Sequence, residues 1–350
     1  MTDYVARARR IADEVLFPAA LAVDEAGVVP ASHYQLLADE GFYGIAAPVD
    51  SGGADVTLQD FLAVLEILAG GCLATAFIWL QHQGVVRGIA DTTNHPVRDR
   101  YLPGLVRGDL RAGVAFAGAI QQPPRLWAKH VDGGFLLSGD APFVSGWHTI
   151  DLVLISAHTS DTGTDEIIVS GVIEPRATPG PAVEPMRLVA AQGSDTVRLT
   201  FSDHFLPLTA VTGEASRTDF LAWQVFGARV NGTLSLGITG RCVRLLTETG
   251  HHDLATALGA QLDAVRAGLD AALADPPTMP AARAAASELA YRAAGALVTA
   301  VGSTAILTSQ HAQRLAREAM FTLVAAGRPQ IKAALAGLLA IAPPYRWSGP

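Results

Sequence analysis

The side chain in this sequence best suited to moving a proton is His82, in Leu80-Gln-His-Gln83. An imidazole titrates near neutrality, so it can act as general acid or base; on an apolar helix it can equally be a core residue with both ring nitrogens bonded. A second group lies in Ala141-Pro-Phe-Val-Ser-Gly-Trp147. Phe143 can be a platform for a planar ring or part of the core. Ser145 can hydrogen-bond a ligand or simply make the turn before Gly146, and Trp147 can wall a pocket or end a strand. A third group lies in Arg314-Leu-Ala-Arg-Glu-Ala-Met-Phe-Thr-Leu-Val-Ala-Ala-Gly-Arg-Pro-Gln-Ile331. Leu315, Ala316, Ala319, Met320, Leu323 and Val324 recur at helical spacing on one face. Gly327 is predicted to take the left-handed conformation that closes this helix, and Pro329 to open the next. Arg328, beside that stop, can receive an acidic group or a phosphate, or be a solvated loop residue. Arg317-Glu318 reads as an ion-paired structural element. His251-His252 point to different helix faces with no third ligand, so no metal site is predicted.

The elements that must position these residues change character twice. Residues 1–110 carry helical periodicity. Val5, Ile11, Val15 and Leu16 begin a first helix; Ser32 is predicted to cap a second and Thr57 a third. Two more are predicted over Ala74–Val86 and Val97–Leu105. Between 111 and 215 the period shortens to that of strands: Val114–Ala117, Leu126–Val131, Phe135–Ser138, Leu152–Ala157, Ile167–Ile173 and Thr196–Phe201. Asp132-Gly133 is a hairpin signal, because that pair accepts the positive φ angles of a tight turn. From 216 to 341 the pattern is helical again, broken at Asp275-Pro276-Pro277, and 342–350 reads as a tail. The order predicts an α+β fold: an N-terminal helical domain, a middle antiparallel β-barrel or sandwich, and a C-terminal four-helix bundle. The late helices are apolar on more than one face, which predicts oligomerisation.

Composition narrows the classes. Half of the 350 residues are apolar and 17% are charged, which excludes disorder. A formal charge of −8 argues against a nucleic-acid binder. Alanine supplies much of the mean hydropathy of +0.29, and no long run lacks polar groups, so no membrane span is predicted. The first residues show no h-region or cleavage site, and so no signal peptide is expected. Cys72 and Cys242 are the only cysteines and fit buried, reduced thiols in a cytoplasmic protein.

Three segments together resemble the acyl-CoA dehydrogenase superfamily through nearly the whole chain. Ser138-Gly139 with Ala141–Trp147 and Ile150–Ile155 is similar to the family's flavin-side strand, loop and strand. Gly193-Ser-Asp-Thr196, Phe201-Ser-Asp203 and Pro207 resemble the pattern that closes its β domain. Gly302, Arg317-Glu318 and Gly327 keep the spacing of its final helices. The resemblance implies FAD and a homo-oligomer, dimer or tetramer. It places Phe143, Val144 and Ser145 against the isoalloxazine, with the backbone at Phe116 and Ala117 touching the ring. It places Thr299, Gly302 and Ser303 toward the FAD pyrophosphate of a neighbouring subunit; Trp147 and Arg328, from their residue types and places, are the candidates to meet substrate.

The departures matter as much. The family's basic Glu precedes the Gly-Thr of the helix stop; here Ala326 occupies that position, and no acid stands in Gln224–Arg229, its alternative place. His82 is then the remaining candidate for acid–base work. Three functions stay open: an FAD-dependent oxidoreductase acting on an acyl thioester of CoA or a carrier protein, a flavin-dependent monooxygenase on the same fold, and a non-catalytic partner subunit of a hetero-oligomeric dehydrogenase.

Overall fold

A computed structural model describes residues 3–159, 166–176 and 180–340. The chain starts as one long helix of varying pitch: α1 (Tyr4–Ile11) runs through a π-helical stretch, Ala12–Leu16, into α2 (Phe17–Ala26). Four more helices follow: α3 (Ala31–Asp39), α4 (Leu58–Gly71), α5 (Leu73–Ala90) and α6 (His95–Arg107). Thr57 caps α4 as its spacing predicts, accepting from the Asp60 N–H at 3.1 Å. Ser32 does not cap α3: the helix begins two residues earlier than expected, with extended Pro30 leading in, so Ser32 falls inside the first turn.

The sheet holds β1 (Ala112–Ala115), β2 (Leu126–Val131), β3 (Gly134–Val144), β4 (Leu152–Thr159), β5 (Ile167–Ile173), β6 (Ala182–Pro185), β7 (Val197–Pro207) and β8 (Val211–Ser216). A one-turn helix, α7 (Ala117–Ile120), follows β1. The strand order is β6-β7-β3-β2-β4-β5-β8, with β1 beside β4. The Asp132-Gly133 hairpin forms where the sequence places it, pairing Val131 with Gly134. The β1–β4 and β2–β4 pairings are parallel, so the sheet is mixed rather than wholly antiparallel. β6 escapes sequence reading because all four of its residues are exposed and carry no alternation. Phe135, Leu137, Val153, Ile155, Leu199 and Phe201 lie in its buried core.

The chain divides into two compact units. Met1–Val64 and Ala74–Trp223 make the first, which ends in the short α8 (Arg217–Ala222); Leu65–Leu73 and Gln224–Pro350 make the second. The second unit packs α9 (Gln224–Glu248), α10 (His252–Ala274), α11 (Met279–Val301) and α12 (His311–Val324) as a bundle, with α13 (Pro329–Ala340) against α11. The segment Pro276–Ile306 is long and apolar enough to cross a membrane by length and composition. Its alanines supply that hydropathy, and it buries Arg283 and Ser287 as a bundle helix does. The predicted tail lies outside the described residues.

Close packing ties the end of α4 to α9. A Cβ on Gly237 would sit 2.3 Å from the Glu66 carbonyl oxygen, and one on Gly70 would sit 2.9 Å from the Gly237 oxygen. Arg241 donates from Nε to the Gly70 oxygen at 2.8 Å across the same contact. Gly237→Ala is therefore expected to cost ~2 kcal/mol, because backbone cannot step aside as a side chain can. Gly240→Ala, whose new Cβ would meet nothing nearer than Leu262 at 3.7 Å, is the control and should be neutral or stabilising in a urea titration.

Candidate functional site

Phe143, Val144, Ser145 and Trp147 come together at the end of β3. The register of β3 on β7 slips between Ala141 and Val144, so three steps on one strand match two on the other. This is a β-bulge, and its extra residue re-aims a side chain. Phe143 absorbs the distortion: its φ is +63° and its ring is 55% exposed. A left-handed aromatic residue is an outlier among L-residues, and an exposed one offers its face to a partner. Val144 beneath it is core.

Beyond the bulge, Ser145 meets the turn that leads into the neighbouring strand β7. Its buried hydroxyl lies 2.8 Å from the Thr196 hydroxyl, which lies 2.8 Å from that of Ser194. Between those two, Asp195 is left-handed and turns its carboxylate outward. There it accepts from the His148 N–H at 2.7 Å and meets the ring nitrogen Nδ1 at 2.8 Å. The Gly146 N–H donates to the Ser194 oxygen and the Trp147 N–H to the Asp195 oxygen. Arg176 donates to the carbonyls of Trp147, His148 and Ile150. The loop is thus held from both sides, and Trp147, half-buried, packs on the β core. Sequence reasoning missed Ser194, Thr196, His148, Asp195 and Arg176 as parts of this site. Gly193-Ser-Asp-Thr196 was the available signal; the pairing partners lie about fifty residues away and carry none.

Phe116 starts α7, its ring edge-on to Phe220 with centroids 6.0 Å apart. Its carbonyl accepts from the Ala119 and Ile120 N–H groups, and that of Ala117 from Gln121. His82, the sequence's candidate for acid–base work, has no ring nitrogen left to offer a substrate. It is buried with both nitrogens engaged: Nε2 donates to the Leu105 oxygen at 3.1 Å and Nδ1 accepts from the Ala112 N–H at 3.2 Å. That pairing fixes the neutral ring, and burial lowers its pKa to about 3. The unfolded chain takes up this proton near pH ~6.5, whereas the folded chain does so only near 3. The stability from His82 is therefore full above pH ~6.5 and is lost as the pH falls toward the folded value. His82→Gln keeps a donor and an acceptor, and should flatten the slope of unfolding free energy against pH between ~6.5 and ~4; an unchanged slope would count against this assignment.

In the second unit the helix stop differs from expectation by one residue. α12 ends at Val324, Ala326 takes φ +51°, and Gly327 has no positive φ. The Gly327 N–H returns to the Val324 oxygen at 3.2 Å, and the strain falls on the residue between. Arg328 is half-buried and its carbonyl receives the Lys332 N–H, so it caps the start of α13. Buried Arg283 holds the stop from α11, donating to the oxygens of Thr322 at 3.2 Å and Ala325 at 3.3 Å and to the Ser287 hydroxyl. Burial lowers its pKa to about 10, so it is still a cation at neutral pH. The structural reading of Arg317-Glu318 fits what is seen: Glu318 pairs with Arg314 one turn earlier at 2.6 Å, and Arg317 donates to the Gln313 side chain. At the other end of α11, Thr299 and Ser303 are exposed, the Thr299 hydroxyl donates to the Gly295 oxygen, and Gly302 turns the chain at φ 78°, ψ −153°, a conformation that only glycine takes without strain.

The residues assigned to an isoalloxazine fit one. An aromatic ring held in a strained conformation yet exposed, next to a buried hydroxyl chain, supplies a flat apolar face and a hydrogen bond.

Known proteins agree in fold. Residues 2–109 match the model of the acyl-CoA dehydrogenase N-terminal domain. Over 216 residues the chain is 25% identical to mitochondrial 2-methylacyl-CoA dehydrogenase of Solanum tuberosum, covering 59% of this chain and 52% of that protein. Over 260 residues it is 27% identical to acryloyl-CoA reductase (NADH) of Anaerotignum propionicum, covering 70% and 64%. The matched part thus spans about half to two thirds of these relatives. Among solved structures, butyryl-CoA dehydrogenase from Megasphaera elsdenii superposes with a TM-score of 0.84 at 17% identity, covering 96% of this chain and 97% of that one.

Proposed function

We propose, from the premise that the chain belongs to the acyl-CoA dehydrogenase superfamily, that it is an FAD-dependent oxidoreductase acting on an acyl thioester of CoA or a carrier protein. The single observation that carries the cofactor is the exposed, left-handed Phe143 beside the buried hydroxyls of Ser145 and Thr196. FAD, when bound, supplies the acceptor for two electrons. The chain's own part is to hold and orient. Phe143 and Val144 would support the ring and Ser145 hydrogen-bond it, while Thr299, Gly302 and Ser303 of a second copy would face the phosphates. Trp147 and Arg328 would meet the substrate.

The proton is the atypical part of this reading. A thioester loses its α-proton only to a base within hydrogen-bond reach, and the methyl group of Ala326 accepts none. His82 is consumed by Leu105 and Ala112. The reading therefore assigns no carboxylate base at the helix stop, leaves the proton to substrate or solvent, and takes the chain to work in the cytoplasm as a homo-oligomer. The test is the purified protein's visible spectrum, followed by anaerobic addition of acyl-CoAs of several lengths and of acylated carrier protein. Flavin absorbance that bleaches with one of them supports the reading. Bound flavin that bleaches with none argues against the thioester, and a colourless protein that takes up no FAD argues for a partner subunit.

A further inference from the structure

The geometry points to a fixed polarity in the hydroxyl chain below Phe143: Ser194 and Thr196 orient the Ser145 hydroxyl as an obligate hydrogen-bond donor toward the bound ring. This rests on the flavin reading above and adds two positioning residues to it.

The argument is a count of protons. Three hydroxyls, Ser194, Thr196 and Ser145, share two contacts of 2.8 Å, and Thr196 is the middle member of both. Each hydroxyl has one proton to give. Ser194 is fully buried, and among the described residues its hydroxyl has one partner, Thr196. A buried hydroxyl that leaves its proton unbonded bears the whole desolvation penalty, so Ser194 donates to Thr196. Thr196, itself buried, must then give its own proton to its other neighbour, Ser145. The Ser145 proton is left over, with no acceptor among the described residues; Ser145 is 4% exposed against 0% for Ser194, so it is the end of the row that a ligand can reach. Each bond in such a row polarises the next, which strengthens the terminal donor.

A fixed donor discriminates between redox states. The central ring nitrogen of an oxidised flavin has a lone pair and accepts. In the reduced flavin the same nitrogen bears a hydrogen and would face a second donor. Accommodating it means reversing the row, and reversal strands the Ser194 proton in the core. The chain should therefore bind oxidised FAD more tightly than reduced FAD and lower the flavin's potential.

The experiment measures the affinities of the full chain for oxidised and reduced FAD, and the midpoint potential of the complex. Thr196→Val cuts the row at its middle and frees Ser145 to rotate. The ratio of the two affinities should shift three- to tenfold toward reduced FAD, a tenfold change raising the two-electron potential by about 30 mV. Ser194→Ala should shift it in the same direction, because Thr196 may then point either way. Thr196→Ser, which keeps the hydroxyl, should retain the wild-type ratio and guards against misfolding of the valine variant. Adding Thr196→Val to Ser145→Ala should change nothing further. If Ser145→Ala moves the ratio while Thr196→Val and Ser194→Ala leave it untouched, the row has no set direction and the inference falls alone. If neither the wild type nor any variant binds FAD, it falls together with the flavin reading.

Discussion

Glu318→Ala is expected to cost about 3–5 kcal/mol of folding stability, the largest loss from any single polar substitution considered for this chain. Glu318 and Arg314 sit one turn apart on α12, with side chains 6% and 1% exposed and Nη1 to Oε1 at 2.6 Å. Taking both charges from water is itself costly, so the pair is a poor source of net stability. Removing only the acid is different, because it strips the closest carboxylate from a guanidinium that cannot lose its proton. The surroundings already lean positive. His311 accepts from Arg314 at 3.3 Å, and burial first, then Arg314, pull its pKa down to about 4. Burial pushes the neighbouring Cys242 thiol up to about 12, so neither group offers a counter-charge at neutral pH. The double replacement Arg314→Met with Glu318→Leu should lose less than the single one, since the guanidinium is removed together with its carboxylate. Urea titration of the three proteins decides it. A single mutant no worse than the double would show that Arg314 finds full compensation elsewhere.

Much of the fold was legible, because periodicity and punctuation are local. Asp132-Gly133 marks its hairpin, Thr57 its cap and Asp275-Pro276-Pro277 its break, each within a few residues of the evidence for it. The candidate site was legible in its positions but not in its workings. The bulge that exposes Phe143 is a mismatch in count between β3 and β7, and a single strand's sequence does not contain it. His82 looked available until segments 23 and 30 residues away supplied a carbonyl and an N–H. The helix stop was assigned to Gly327 by residue preference, but α12 ends early enough that the left-handed position falls on Ala326. The ion-paired character of Arg317-Glu318 was legible, but the partner was not named: Arg314 lies one turn before Glu318, at the spacing that lets two helix side chains meet.

Phe143→Gly should separate the two demands made on that position, raising the stability of the ligand-free chain while weakening FAD binding. Holding an L-residue at φ +63° costs about 1–2 kcal/mol, and glycine escapes this while giving back about 0.5–1 kcal/mol in unfolded-chain entropy. The ring, 55% exposed, contributes little burial in compensation, so the net change is a gain of up to ~1 kcal/mol. Phe143→Ala removes the same ring but keeps the strain. It should therefore be less stable than the glycine variant, the reverse of the order at an ordinary strand position, where alanine is favoured. Both variants lose the flat face. Covering an exposed Phe and stacking upon it is worth about 2–3 kcal/mol, so FAD affinity should fall roughly 30- to 160-fold in each. Thermal unfolding of the apoproteins and titration with FAD read the two effects independently. Were alanine the more stable of the pair, the left-handed bulge would be wrong. Were affinity unaltered while stability followed the expected order, Phe143 would be a strained residue that the cofactor does not touch, and the ring would have to be sought elsewhere in the fold.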